Sequence, residues 1–170
     1  MAFLGLIPVA AVAALRKGWR NFTLNQFRNA DKVLERLKTT DQLTSISYQA
    51  VRAFQVEEFE DEGSIYFVEL ADGSVLFLCG QYLYDYEPND DDPSHPQSRR
   101  FPCTDFTVHR HKTEDWVAEI DCQGSVLESE VLTPAFAKDR ILHGSIPGDG
   151  DIFSDRTYDQ LKRDLLRQKA

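Results

Sequence analysis

Cysteine is scarce in this chain: three in 170 residues, Cys79, Cys103 and Cys122. That number does not make a disulfide framework, and no CxxC or CxxH spacing offers the paired ligands of a structural zinc site. Positive charge is short as well. Nineteen Lys/Arg stand against 28 Asp/Glu, for a net charge of −9. A general nucleic-acid binder is thereby excluded, because such binding is driven by cations that displace counterions from phosphates. Long apolar runs are missing: residues 2–15 carry no polar side chain, but the run is only about 14 residues. At ~1.5 Å per residue it reaches roughly 21 Å, short of the ~30 Å hydrocarbon core of a bilayer. There is no GxSxG, HExxH, DFG or dinucleotide fingerprint. The glycine cluster Gly144…Gly148-Asp149-Gly150-Asp151 lacks the lysine and the strand–loop–helix setting of a phosphate-binding loop. No cofactor is expected, and the sequence leans away from an enzyme.

What is present suits one domain of ordinary size with an appended arm. The hydrophobic fraction is 42%, enough for a true core. The charge is unevenly placed. Residues 1–40 hold seven Lys/Arg and two Asp/Glu, residues 41–98 hold one against thirteen, and residues 99–170 eleven against thirteen. A basic arm is thus joined to a strongly acidic middle, and the two invite different partners.

Residues 1–20 form the apolar and basic arm. The run 2–15, weakened by Pro8, leads into Arg16-Lys17-Gly18-Trp19-Arg20. Positive charge after the run, with none before it, does not fit a signal peptide. Apolar, then basic, then Trp is the order at the cytoplasmic exit of a membrane segment, and it makes Arg16, Lys17, Trp19 and Arg20 the membrane-proximal candidates. A helix buried against the domain or a partner, and an apolar unstructured terminus, are the other readings. Residues 21–40 continue as a basic amphipathic helix, with Leu24, Phe27, Leu34 and Leu37 in its stripe. That stripe is read first as core contact and second as a face for anionic lipid.

The β-rich globular domain is expected over 48–170. Ile65–Leu70 and Val75–Cys79 flank Asp72-Gly73, the signal of a two-residue type I′ hairpin, which sets Leu70 opposite Val75 and Val68 opposite Phe77. Both faces of this hairpin are apolar, so both must be covered, one by a helix and the other by a further sheet or barrel wall. Tyr82, Tyr84 and Tyr86 are two apart. On an extended chain they share a face and make a candidate partner surface. The acidic loop 89–98 lacks the ligand pattern of a calcium site. In the second β segment a five-residue loop, His111 to Asp115, pairs Val108 with Ala118 and Phe106 with Ile120. That register gathers Asp105, Thr107, His109, Glu119 and Asp121 on a wet face, where His109, His111, Glu119 and Asp121 are the candidates for a metal or for acid–base work. Cys79 and Cys122 read as small core hydrophobes and Cys103 as the most exposed thiol, a candidate nucleophile with His95 or His143. Val126–Leu132 is a strand candidate, and Asp155 caps a final helix with the stripe Tyr158, Leu161 and Leu165.

Three blocks, Gly80–Tyr86, Arg100–Phe106 and Asp155–Asp159, resemble an uncharacterised bacterial family that carries a soluble β-rich domain behind membrane helices. The resemblance spans about residues 48–166. It implies a membrane segment ahead of the domain and no assigned activity.

The expected fold is therefore α+β: a mostly antiparallel, rolled or barrel-like sheet of about six strands with an N-terminal and a C-terminal helix. The expected function is a non-enzymatic accessory or protein-binding domain at the cytoplasmic side of a membrane, or in the cytoplasm, with a protein partner and an anionic membrane or membrane protein. The alternatives are a small metal-binding protein or hydrolase using the His109/Glu119 face, and a soluble homo-oligomer that buries its N-terminal helix.

Overall fold

The structure, a computed structural model, describes residues 30–58, 63–88, 96–114, 116–133, 135–136, 140 and 146–167. The apolar run 2–15, the candidates Arg16, Lys17, Trp19 and Arg20, most of the acidic loop, His95 and His143 lie outside these residues. Among the described residues no helix is long and apolar enough to cross a membrane. The chain divides into two compact units, Met1–Gln42 and Leu43–Ala170.

In the first unit, helix α1 (Ala30–Thr39) ends by a defined device. The amide of Gln42 donates to the Leu37 carbonyl at 3.0 Å and that of Asp41 to the Lys38 carbonyl at 3.4 Å. Asp41 takes the left-handed conformation, φ 55°. This is a Schellman closure, with Asp in the place usually held by Gly.

The second unit is α+β and begins earlier than the expected residue 48. Its strands are β1 (Leu43–Val56), β2 (Ser64–Leu70), β3 (Val75–Gly80), β4 (Asp105–His111), β5 (Val117–Cys122), β6 (Ser129–Thr133) and β7 (Ile152–Phe153), followed by helix α2 (Tyr158–Arg167). They form one sheet in the order β5-β4-β1-β2-β3-β7, with β6 parallel to β1. All other pairs are antiparallel, and the sheet does not close into a barrel. β1 spans its two halves. Leu43–Gln49 pair with β4, and Ala50–Val56 pair with β2, with a register shift between Ala50 and Arg52. Such a bulge bends a strand and increases its twist, so β4–β5 and β2–β3 can wrap one core.

Both faces of the β2–β3 hairpin are covered, as its composition requires. The inner core joins Ala53, Tyr66, Val68, Leu76 and Leu78 to Leu83, Tyr86, Phe101, Phe106, Val108 and Ile120. The outer core sets Phe54, Val56, Ile65, Phe67 and Phe77 against Tyr158, Leu161 and Leu165 of α2. The three predicted stripe residues of the last helix are thus its buried ones.

Four local expectations are corrected. First, the hairpin pairs Glu69 with Val75, Val68 with Leu76 and Phe67 with Phe77, one residue away from the expected register. Its loop has three residues: the Gly73 amide donates to the Leu70 carbonyl at 2.9 Å, and that of Leu70 to Ser74 at 2.8 Å. Only Gly73 has positive φ, 86°, so this is a type I turn with a glycine bulge rather than a type I′ turn. Asp72 holds it by accepting from the Ser74 amide at 2.9 Å and from its hydroxyl at 2.6 Å.

Second, β4 pairs Val108 with Ile120 and Phe106 with Cys122. This is two residues from the expected register, and each side chain keeps its face. Third, Gln81–Tyr86 is a 3-10 helix. At three residues per turn, positions two apart point in different directions, so the tyrosines form no shared face. Fourth, Thr157 caps α2 in place of Asp155. Its hydroxyl accepts from the Gln160 amide at 3.3 Å, and Gln160 Oε1 accepts from the Thr157 amide at 2.9 Å, a reciprocal capping box.

Candidate functional site

The β1–β4–β5 ladder brings the predicted polar residues together in pairs. Ser45 is opposite His109 and Ser47 opposite Thr107 on one side; Glu119 is opposite His109 and Asp121 opposite Thr107 on the other. Ser45 Oγ and His109 Nδ1 are 2.8 Å apart, and the Ser47 and Thr107 hydroxyls 2.9 Å apart. His109 Nε2 lies 3.8 Å from Asp121 Oδ2, with the His side chain 15% and the Asp side chain 63% exposed. The face is less wet than expected, since Thr107 is buried.

His111 is committed to the β4–β5 turn. Its ring stacks on Trp116 at 5.4 Å, its Nδ1 accepts from the Glu114 amide at 3.1 Å, and Trp116 Nε1 donates to Glu114 at 3.0 Å. Among the described residues no three His, Cys, Asp or Glu side chains converge as a metal site.

The tyrosines have separate tasks. Tyr82 donates to Asp149 Oδ1 at 2.9 Å. Tyr84 is exposed, with its hydroxyl on Glu58. Tyr86 is buried, and its hydroxyl accepts from the Ile120 amide at 2.9 Å. Two of the three are therefore structural anchors rather than surface.

Asp149, which carries no sequence signal beyond a glycine-flanked loop, is the most constrained carboxylate in this region. Its Oδ1 accepts from the Cys79 amide at 2.9 Å as well as from Tyr82. Arg110 reaches across from β4 to donate to the Gly150 carbonyl at 2.8 Å and the Asp149 carbonyl at 3.2 Å. The Gly150 amide donates to Phe77, and that of Phe77 to Asp151, each at 2.8 Å. The loop thus ties β3 to β4. Burial raises the Asp149 carboxyl to about 6, against the opposing pull of the Cys79 amide, the Tyr82 hydroxyl and the Arg110 charge.

Because the folded value lies above the ordinary 3.8, the folded state holds this proton more tightly than the unfolded chain. Its contribution is fully present below about pH 4 and is lost as pH rises through about 6. Asp149→Asn removes the titration. Urea melts should show the variant gaining on the wild type by roughly 3 kcal/mol between pH 4 and pH 8. An unchanged difference across that range would show that Asp149 does not titrate with folding.

The thiols also differ from expectation. Cys103 is fully buried in the inner core that also holds Phe101 and Phe106, and Cys79 and Cys122 are partly exposed. Burial beside Asp149 and Asp151 pushes the Cys79 thiol up. Cys103 donates to the Asp105 carbonyl at 3.4 Å, and Cys122 packs against the inner core that holds it. Two depressions, of 380 Å³ beside α2 and 510 Å³ beside Ser47, Asp72 and Asp105, are lined neither by His109 nor by these two thiols. Comparison with protein-family models, with curated proteins and with solved structures returns no match.

Proposed function

We propose that this chain is a non-enzymatic accessory domain, held at the cytoplasmic face of a membrane by its N-terminal arm and offering its acidic domain to a protein partner. The segregation of charge carries the reading: seven basic against two acidic residues over 1–40, then one against thirteen over 41–98. That one cation, Arg52, is taken up by Glu69 at 2.5 Å, Asp159 at 3.2 Å and Glu130 at 3.6 Å. It leaves Glu57, Asp72 and Asp85 exposed. An anionic bilayer attracts Arg16, Lys17 and Arg20 by about 1 kcal/mol each near its surface, while it repels an acidic domain. The domain is thereby turned to the aqueous side. The resemblance in the three sequence blocks implies the same placement.

Flotation with phosphatidylserine vesicles tests this. The full chain is expected to float at 0.1 M salt and largely to stay behind when residues 1–20 are removed. Equal recovery of both in the soluble fraction overturns the proposal.

One hydrogen bond favours a second reading. Ser45, His109 and Asp121 are the residue types of a nucleophilic hydrolase, and Ser45 Oγ meets His109 Nδ1 at 2.8 Å. Ester hydrolysis abolished by both Ser45→Ala and His109→Ala would put this reading first.

A further inference from the structure

Strand β1 outruns its neighbour β2. Its first half, Leu43–Gln49, pairs with β4 without a register shift, while β2 joins it only from Ala50 onward. Two hydrogen bonds fix which way each backbone group points. The Ala50 amide donates to the Thr104 carbonyl on the β4 side at 2.7 Å, and the Ala71 amide donates to the Gln49 carbonyl on the β2 side at 2.8 Å. Residues of an antiparallel strand turn their backbone groups alternately to one neighbour and to the other. Thr44, Ile46 and Tyr48 therefore turn their N–H and C=O groups to β4, and Ser45 and Ser47 turn theirs to the opposite edge. Among the described residues nothing pairs with that edge.

Two other edges of the sheet are closed or short. On β5 the Ile120 amide is taken by the Tyr86 hydroxyl at 2.9 Å, and β7 has two residues. The open part of β1 lacks the usual guards of an edge, which are charged side chains, proline or a bulge. It reads Leu-Thr-Ser-Ile-Ser-Tyr-Gln, without a charge, and Thr, Ile and Tyr favour a strand. Residues 44–47 are exposed, Ile46 by 40%.

The two faces beside the edge differ. Ile46 and Tyr48 stand opposite the buried Val108 and Phe106, and the Tyr48 ring lies 5.5 Å from that of Phe106. This is an apolar row. Ser45, Ser47 and Gln49 lie on the other face, with Asp105 opposite Gln49. A depression of 510 Å³ opens beside Ser47 and Gln49 and takes in Asp72 and Asp105; no Lys or Arg is among the described residues that line it. The Ser74 hydroxyl and amide hold the Asp72 carboxyl below its ordinary range, so it is ionised at neutral pH.

We infer that the open edge of β1 is a docking site for an extended segment of a partner protein, added antiparallel as a further strand, in which apolar and basic residues alternate. The inference names the chemistry of the partner proposed above for the acidic domain, and it rests on that reading. Main-chain bonds to Ser45 and Ser47 supply affinity, Ile46 and Tyr48 seat the apolar side chains, and Asp72 and Asp105 select cations. A second copy of this chain fits less well. It brings the same carboxylates to the edge and sets one net charge of −9 against another.

The test uses a capped seven-residue peptide in which lysine alternates with valine, added to the full chain at up to about 1 mM without vesicles. Amide exchange is followed by NMR. The Ser45 and Ser47 amides are expected to slow by roughly tenfold or more, and those of Ile46 and Tyr48, already bonded to β4, to change less. With its valines on the Ile46 and Tyr48 row, the peptide sets its lysines directly opposite Ser45 and Ser47, with their N–H groups on β1. N-methylation of the lysine amides should therefore abolish the protection, and N-methylation of the valine amides should leave it. Glutamate in place of lysine should abolish it as well.

Asp72→Asn keeps an acceptor for Ser74 and should weaken binding roughly two- to fivefold, as an exposed ion pair does. Ser47→Pro removes an outward N–H without removing a bond to β4 and should prevent binding. If that variant does not fold, the two N-methylated peptides decide the same point on the unaltered protein. Equal protection by both of them, protection by the glutamate peptide, or no protection at Ser45 and Ser47 overturns the inference. So does a dimer of the protein alone that protects the same two amides. None of these outcomes alters flotation, so the membrane placement stands or falls separately.

Discussion

Gly63→Ala is expected to lower the unfolding free energy by roughly 2–5 kcal/mol, the sum of a left-handed backbone penalty and an overpacked contact. Gly63 has φ +104°, and a Cβ there would stand 2.2 Å from the Gly80 carbonyl carbon, 2.3 Å from the Gln81 amide nitrogen and 2.5 Å from the Gly80 oxygen. All three are backbone atoms, so no rotamer change relieves the contact. The ladder itself must open where Ser64 pairs with Gly80, which is also where β3 passes into the 3-10 helix that delivers Leu83 and Tyr86 to the inner core.

Gly73→Ala is the control. Its φ is +86°, and nothing lies within 4 Å of the added carbon, so the variant carries the backbone penalty alone, about 1–2 kcal/mol. Urea denaturation of the two variants separates the effects. Equal losses would mean that β2 and β3 do not approach as closely as described.

These two glycines also mark where the sequence is readable. The hairpin was visible from Asp72-Gly73 and its apolar flanks, and so was the need to cover both its faces. Register was not. One positive φ in place of two changes a two-residue loop into a three-residue one and moves every cross-strand pair by one. The β4–β5 register moved by two. Inward and outward faces survive such a shift, which is why Phe106, Val108 and Ile120 were rightly placed in a core.

Periodicity failed at Tyr82, Tyr84 and Tyr86, because spacing of two reads as a strand face only if the chain is extended. The 3-10 geometry sends Tyr82 to Asp149 and Tyr86 to Ile120. Asp149 had no local signal. It meets Tyr82 across 67 residues. That His109 and Glu119 share a face was legible from alternation, but that they stand opposite each other was not, since the expected register set His109 against Val117. The Ser45 hydroxyl on His109 was not, since it depends on β1 adding a third strand 64 residues away in sequence.

Phe54→Ala should cost about 3–5 kcal/mol, the range for an aromatic side chain removed from a packed core. It should also loosen α2 before it loosens β4–β5. Phe54 is fully buried. Its ring stacks on Phe67 at 4.8 Å and meets Tyr158 edge-on at 5.0 Å, so it joins the sheet to the first turn of the helix. α2 has ten residues. Isolated helices shorter than ~12–15 residues are marginal in water, and its retention therefore depends on this outer core and on the polar seam beside it.

In that seam the Arg52 guanidinium lies 4.1 Å from the Tyr158 ring centroid while bonding Glu69 and Asp159. Lys162 reaches Glu130 at 2.8 Å. Those ion pairs are partly solvated and contribute little alone, so they do not hold the helix once Phe54 is gone. Amide exchange in the variant should show the protection of residues 161–167 falling further than that of the β4–β5 amides. Equal losses in both segments would mean that α2 unfolds only with the whole domain, and that the two cores behave as one cooperative unit.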